Sequence, residues 1–192
     1  MLKAALDCLR ERGYAGTSTR EVARRGGFNS SLVFYYFGSL HGLLLAALDW
    51  NSERRRERYT ELLRDIEDPA DFARVALQIY REDLDGGHIT VFTEMAAAAL
   101  NDPDLATELS ARTNPWIDLM DQAFSRFLKG SPVEHLVASQ ELATAAVALY
   151  MGVNLLTRFD PDGAHANRIF GLAERMTPLL AGLVMNGVPD GD

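Results

Sequence analysis

The chain has 192 residues, 47% of them hydrophobic and 24% charged, the balance of a soluble globular protein of one or two domains. No apolar run approaches the roughly 18 to 20 residues of a membrane span, and no secretory pattern opens the chain. The single Cys8 excludes an intrachain disulfide and any multi-cysteine metal site, so a cytosolic protein is expected. The net charge of −8 argues against indiscriminate nucleic-acid binding, but it is unevenly spread. Residues 1–50 carry six basic side chains (Lys3, Arg10, Arg12, Arg20, Arg24, Arg25) against four acidic ones, whereas the remaining 142 residues carry 13 basic and 23 acidic. A slightly basic head on an acidic body implies that the head alone meets an anionic partner.

Apolar residues recur at three- and four-residue spacing along the chain, with no sustained alternation, so the expected fold is all-α. A first helix opens the chain and ends at Gly13 and Gly16. Ser18 and Glu21 have capping-box spacing, which predicts a second helix from Thr19 to about Arg25. Gly26-Gly27 makes a turn, Asn29 caps a third helix through Phe37, and Ser39 starts a long fourth from Leu40 to about Ile66. Asp68-Pro69 and Asp102-Pro103 each place a capping carboxylate before a first-turn proline, and the two helices between them split at Gly86-Gly87. Ser131-Pro132-Val133-Glu134 combines cap, proline and reciprocal carboxylate and predicts a helix from there to about Phe159. A loop over 160–163 precedes a last helix from Ala164 to about Val184. Pro115 and Pro178 fall inside helical patterns and predict kinks. About nine helices result, divided into a three-helix head (1–48) and a larger body (49–192) bridged by the fourth helix.

Ala23, Gly27 and Val33 stand at the spacing A-x3-G-x5-V, which a helix-turn-helix needs for steric reasons. Ala23 is small where the helices cross, Gly27 can take positive φ, and Val33 fills the space between them. The surrounding segments are Ala4-Ala5-Leu6-Asp7-Cys8-Leu9-Arg10-Glu11-Arg12-Gly13-Tyr14, Thr17-Ser18-Thr19-Arg20-Glu21-Val22-Ala23 and Gly27-Phe28-Asn29-Ser30-Ser31-Leu32-Val33-Phe34-Tyr35-Tyr36-Phe37. Together they closely resemble the DNA-binding head of TetR-family transcriptional regulators, over about the first 48 residues. The resemblance implies that the third helix enters the major groove with Asn29, Ser30, Ser31, Leu32, Phe34 and Tyr35 near bases or sugars. It also implies that Thr17, Ser18, Thr19 and Tyr36 meet phosphates and that Arg20 can reach a base. Phe37 is expected in the core. Leu40 stands where the family usually carries lysine, and Leu32 where it often carries threonine, which predicts weaker sequence-independent affinity and a flatter salt dependence.

In the body, Leu142, Ala145, Ala146, Leu149, Val153 and Leu156 run along one late helix, and Ile169, Leu172, Met176, Leu179 and Leu183 along the last. Two copies could join through these as a four-helix bundle, placing two heads on successive major grooves. Tyr80, Phe92, Met95, Trp116, Met120, Tyr150 and Asn154 mix aromatic, soft and polar groups on apolar faces, as a largely apolar effector pocket needs. Arg54, Arg55, Arg56 and Arg58 alternate with Glu53, Glu57 and Glu61 and read as an ion-paired face. No phosphate-cradling loop, nucleophile elbow or metal set appears, so neither enzyme nor cofactor is expected. Cys8 reads as a small hydrophobe. The expected function is a ligand-responsive regulator of transcription, a repressor released from a palindromic double-stranded DNA operator by a small, largely apolar effector. Its partners would be operator, effector and a second copy, with no membrane. The alternative is a small-molecule-binding helical dimer with weakened or lost DNA binding; specific operator binding separates the two.

Overall fold

A computed structural model of the chain describes residues 1–66, 68–157, 159–160 and 162–186, without the side chains of residues 89, 180 and 183–186. The described residues form nine α-helices and no strand, the all-α class expected. In chain order they are α1 (Leu2–Arg12), α2 (Thr19–Gly26), α3 (Ser31–Phe37), α4 (Leu40–Leu63), α5 (Pro69–Asp85), α6 (His88–Ala99), α7 (Pro103–Leu128), α8 (Ser139–Thr157) and α9 (Ala164–Asn186). Local chemistry starts most of them. Asp68 Oδ1 accepts from the N–H groups of Ala70 and Asp71 at 2.7 and 2.9 Å, and Asp102 Oδ1 from that of Leu105 at 3.0 Å. Ser39 Oγ does the same for Gly42 at 2.9 Å. Each bond satisfies an amide that the first turn of a helix leaves without a partner. Helices α7 and α9 run on through Pro115 and Pro178.

One start is corrected. Residues 131–138 form turns, and α8 begins at Ser139 rather than after Ser131. Glu134 does not reach back to the serine: its Oε2 accepts from Gly130 N–H at 2.7 Å, with Gly130 at φ 75°. Ser131 Oγ is buried with no hydrogen-bond partner among the described residues, so it caps none of their amides. The reciprocal carboxylate is supplied seven residues later, where Glu141 Oε2 accepts from Ala138 N–H at 3.2 Å.

The chain forms two compact units. The first comprises residues 1–57 and 83–112, the second 58–82 and 113–192. In the first, α1 packs against both α2 and α6. Its core gathers Leu9, Val22, Val33, Leu43 and Leu44 from the N-terminal helices with Val91, Met95, Leu105 and Leu109 from α6 and α7. Residues 1–48 therefore do not close their own core. Glu94 of α6 adds a polar tie, accepting from Tyr14 N–H at 3.1 Å.

A buried ion pair lies in the same unit. Arg55 holds Asp83 in a fork, with Nε to Oδ1 at 2.9 Å and a second contact from Nη2 to Oδ2, and Asp83 is 1% exposed. His88, at the start of α6, accepts at Nδ1 from Arg10 Nη2 at 3.4 Å, since arginine can only donate. Gly87 keeps positive φ beside it, and a Cβ there would lie 3.3 Å from the Arg10 side chain.

In the second unit α8 and α9 pack together. Tyr59, Leu63, Val75, Ile79 and Leu119 form one buried cluster, and Phe124, Leu128 and Ala143 another. Tyr59 meets Trp116 at 5.7 Å between ring centroids, and Phe72 meets Phe124 at 4.8 Å, distances at which aromatic pairs attract beyond simple burial. Arg126 Nη2 donates to the carbonyl of Leu63, closing the C-terminus of α4.

Burial, then the charges of Arg55 and Arg10, pull the His88 imidazole down from 6.5 to about 4, with Asp83 opposing. A base lowered in the folded state binds its proton more readily when unfolded, so acid favours unfolding. Stability should hold above about pH 6.5 and decline as pH falls toward 4. Urea midpoints across that window measure it, and His88→Gln should flatten the decline.

Candidate nucleic-acid interface

The turn between α2 and α3 depends on Gly27, which sits in the left-handed region at φ 67° and ψ 35°. A Cβ there would meet nothing within 4 Å, so glycine is required by its backbone angle and not by space. Ala23 and Val33 are both buried, as the A-x3-G-x5-V spacing demands. Ser18 caps α2, its Oγ accepting from Glu21 N–H at 3.3 Å. Only half of the capping box forms, because the Glu21 carboxylate is bonded to Arg24 at 2.6 and 3.1 Å and to Arg12 at 3.1 Å.

The third helix starts through Asn29, whose Oδ1 accepts from both the N–H and the Oγ of Ser31 at 2.9 Å. Its outward face is aromatic. Phe34, Tyr35 and Tyr36 are 57%, 80% and 64% exposed, and the two tyrosine rings meet edge to face at 4.9 Å. Ser31 is exposed beside them, while Ser30 and Leu32 are half-buried. Phe37 turns inward and packs on the core, as expected, and Leu40 joins it there. At the start of α2, Ser18 and Arg20 are exposed and Thr19 is half-buried. Thr17 differs: it is buried, and its hydroxyl donates to the carbonyl of Gly13 at 2.7 Å, holding the loop.

The basic excess of the head is largely spent on internal pairs. Arg25 is forked onto Glu11, Arg24 and Arg12 share Glu21, and Arg10 lies 3.7 Å from Asp7. Hydrogen bonds from Arg25 and Arg24 hold the Glu11 and Glu21 carboxyls below their usual range. Arg20, on the first turn of α2, makes no ion pair among the described residues. An exposed aromatic face, together with an arginine of α2 that makes no ion pair among the described residues, can meet bases and sugars by contact rather than by charge alone.

The other expected residues separate by unit. Tyr80, Trp116, Met120, Tyr150 and Asn154 lie in the second unit, where Trp116, Met120 and Tyr150 pack on the Tyr59 cluster. Phe92 and Met95 belong to the first, Met95 fully buried in its core. On α8 the expected self-association face mixes two sides. Val153 is buried and Leu142 and Ala146 pack on the Phe124 cluster, whereas Ala145, Leu149 and Leu156 are exposed. Leu155 is exposed with them; α8 is apolar on most sides, so periodicity alone could not choose the outward one. On α9, Leu172, Met176 and Leu179 are exposed, Ile169 is half-buried, and Leu183 lies outside the described side chains.

The family described as bacterial regulatory proteins, tetR family, matches residues 1–47. The HTH-type transcriptional regulator BetI of Stenotrophomonas maltophilia is 26% identical over 131 residues, 67% of each chain. The HTH-type transcriptional repressor Rv3405c of Mycobacterium tuberculosis is 42% identical over 77 residues, 40% of this chain and 38% of that one. A regulator from Saccharomonospora viridis, solved in complex with choline, superposes with a TM-score of 0.72 over 96% of this chain and 94% of that one. At 18% identity that likeness is one of fold.

The split between buried and exposed faces of α3 has a direct test. Val33→Ala should lower stability by about 2 kcal/mol through the cavity it leaves. Tyr35→Ala should change it by less than about 0.5 kcal/mol, as surface substitutions do. Thermal and urea unfolding of the two variants would show the difference.

Proposed function

We propose that the chain, whose residues 1–47 match the tetR family of bacterial regulatory proteins, represses transcription as a homodimer on a palindromic operator and is released by a small, largely apolar effector. The observation that carries this is the solvent-facing aromatic edge of α3, held outward by Val33 and Phe37 and given no use inside the chain. Laid in a major groove, Phe34 and Tyr35 reach thymine methyls and sugars, and Ser31 reaches a base edge or phosphate. Tyr36, Ser18 and Thr19 meet phosphates, the last two at the amide-rich start of α2. Arg20 reads guanine in a two-pronged bond worth about 1–3 kcal/mol of discrimination. Thr17 holds the loop before α2 through its bond to Gly13.

One head reads too little DNA for specificity, so two must act together with their α3 helices about 34–36 Å apart. Leu149, Leu155 and Leu156 of α8 and Leu172, Met176 and Leu179 of α9, each between 41% and 62% exposed, supply the joining face. Such a set of large apolar groups left in water marks an interaction surface, and pairing it with its own copy makes an isologous four-helix bundle. The effector binds among the aromatic groups of the second unit; that a regulator of like fold from Saccharomonospora viridis was solved in complex with choline supports ligand binding by such a fold. Release follows only when the effector prefers the conformer whose heads mismatch the operator. Chain continuity through α4 and α7, which contribute to both units, can carry that preference. The repressor name of the Mycobacterium relative supports the sign of control. The protein acts in the cytoplasm, with its DNA.

Selection of bound sequences from random DNA tests the reading: an inverted repeat should be enriched, and failure to enrich any site at low salt would sink it. On the selected site Arg20→Ala should weaken binding about 10- to 100-fold and relax one base position. Leu149→Glu with Leu179→Glu should give a monomer by light scattering and abolish operator binding while α-helix content stays intact.

A further inference from the structure

Asn154 of α8 is 6% exposed, and its Oδ1 is sealed from solvent with no hydrogen-bond partner among the described residues. Buried amide oxygens are nearly always paired, so an orphan of this kind calls for a physical reason. Its surroundings supply one. Helical spacing puts Tyr150 one turn before it and Thr157 one turn after it on the same face of α8. Tyr150 packs with Trp116 and Met120 against the Tyr59 cluster. Thr157 Oγ1 donates to the carbonyl of Val153 at 2.8 Å, so the 2.7 Å contact with Tyr80 is a bond donated by the tyrosine. The Tyr80 ring in turn faces Phe170 at 5.0 Å. Both functions of the Thr157 hydroxyl are thereby used, and neither serves Asn154.

We propose that Asn154 Oδ1 is the recognition acceptor for the effector, which is an apolar molecule carrying a hydroxyl or N–H donor and no anionic group at that end. This rests on the reading that the second unit takes an effector. A leucine would fill the same space without leaving an acceptor unpaired, so an asparagine there gains its partner when a donor arrives. An anion offers only acceptors and gains nothing from a carbonyl oxygen. The aromatic neighbours accept the apolar remainder of the molecule.

Matched probes that differ only in the donor test it on the full chain: indole with 1-methylindole, 4-propylphenol with 4-propylanisole, and 1-octanol with methyl heptyl ether. Affinities are measured by ligand-observed NMR for the natural chain, Asn154→Leu and the smaller Asn154→Ala, whose folding is checked by circular dichroism. At least one pair should bind the natural chain with about a tenfold preference for the donor, and that ratio should fall to about one in both variants. The ether or methylated probe should keep its affinity in the variants. Equal affinities within every binding pair, as when a trapped water alone satisfies Oδ1, overturn the acceptor role and leave the effector region standing. A preference that survives in both variants also overturns it. If no probe binds, the effector reading of the second unit falls and the acceptor role with it.

Discussion

Helix α1 is buried on more than one side: Ala5, Cys8 and Leu9 are all fully enclosed. Helices α2, α3 and α4 cover part of that surface, and Val91 and Met95 of α6 share the same core. The outward presentation of α3 depends on this enclosure, because a seven-residue helix is far below the length that holds its shape alone in water. Val33 and Phe37 anchor α3 to a core that is complete only with α6 and the first turns of α7. The reading head is thus built from two stretches of chain separated by α5. The Arg55–Asp83 pair and the Glu94–Tyr14 bond join those stretches by polar contacts that apolar packing could not orient.

Electrostatics in the head serve structure first. Four of its arginines face carboxylates, Arg12 and Arg25 across α1 and α2 and Arg10 and Arg24 within one helix, which leaves little charge for a phosphate backbone. Exposed pairs of this kind contribute little stability each. Their larger effect is to remove long-range attraction that would hold the protein on any duplex, since sequence-independent affinity grows with the number of phosphates neutralised. On the proposed reading, the aromatic edge of α3 then has more weight in recognition. Leu40, packed inward, continues the same trend.

What the sequence made legible was local. Asp68, Asp102, Ser18 and Gly27 act within a few residues of themselves, and the structure uses each as its chemistry suggests. Ser131 misled because a capping motif says nothing about the conformation of its neighbour: Gly130 at positive φ draws Glu134 to its own amide. Thr17 shows the converse, since motif position alone does not reveal that its hydroxyl is already bonded to Gly13. The joining of α6 to α1 was not legible, being a meeting of residues about 80 apart along the chain. On α8 the expected face mixes buried and exposed residues, because a helix apolar on most sides carries no phase.

The enclosure of α1 also bears on how the head's breathing can be watched. Cys8 is the chain's single thiol, and it has no exposed surface. Desolvation pushes its pKa above the ordinary value, so little thiolate forms while the core is shut. A thiol reagent therefore reacts only during excursions in which α1 lifts from its neighbours, and the rate of labelling becomes a clock for those excursions. Any molecule that tightens or loosens the head's core would slow or quicken that clock, with no reporter group added to the protein.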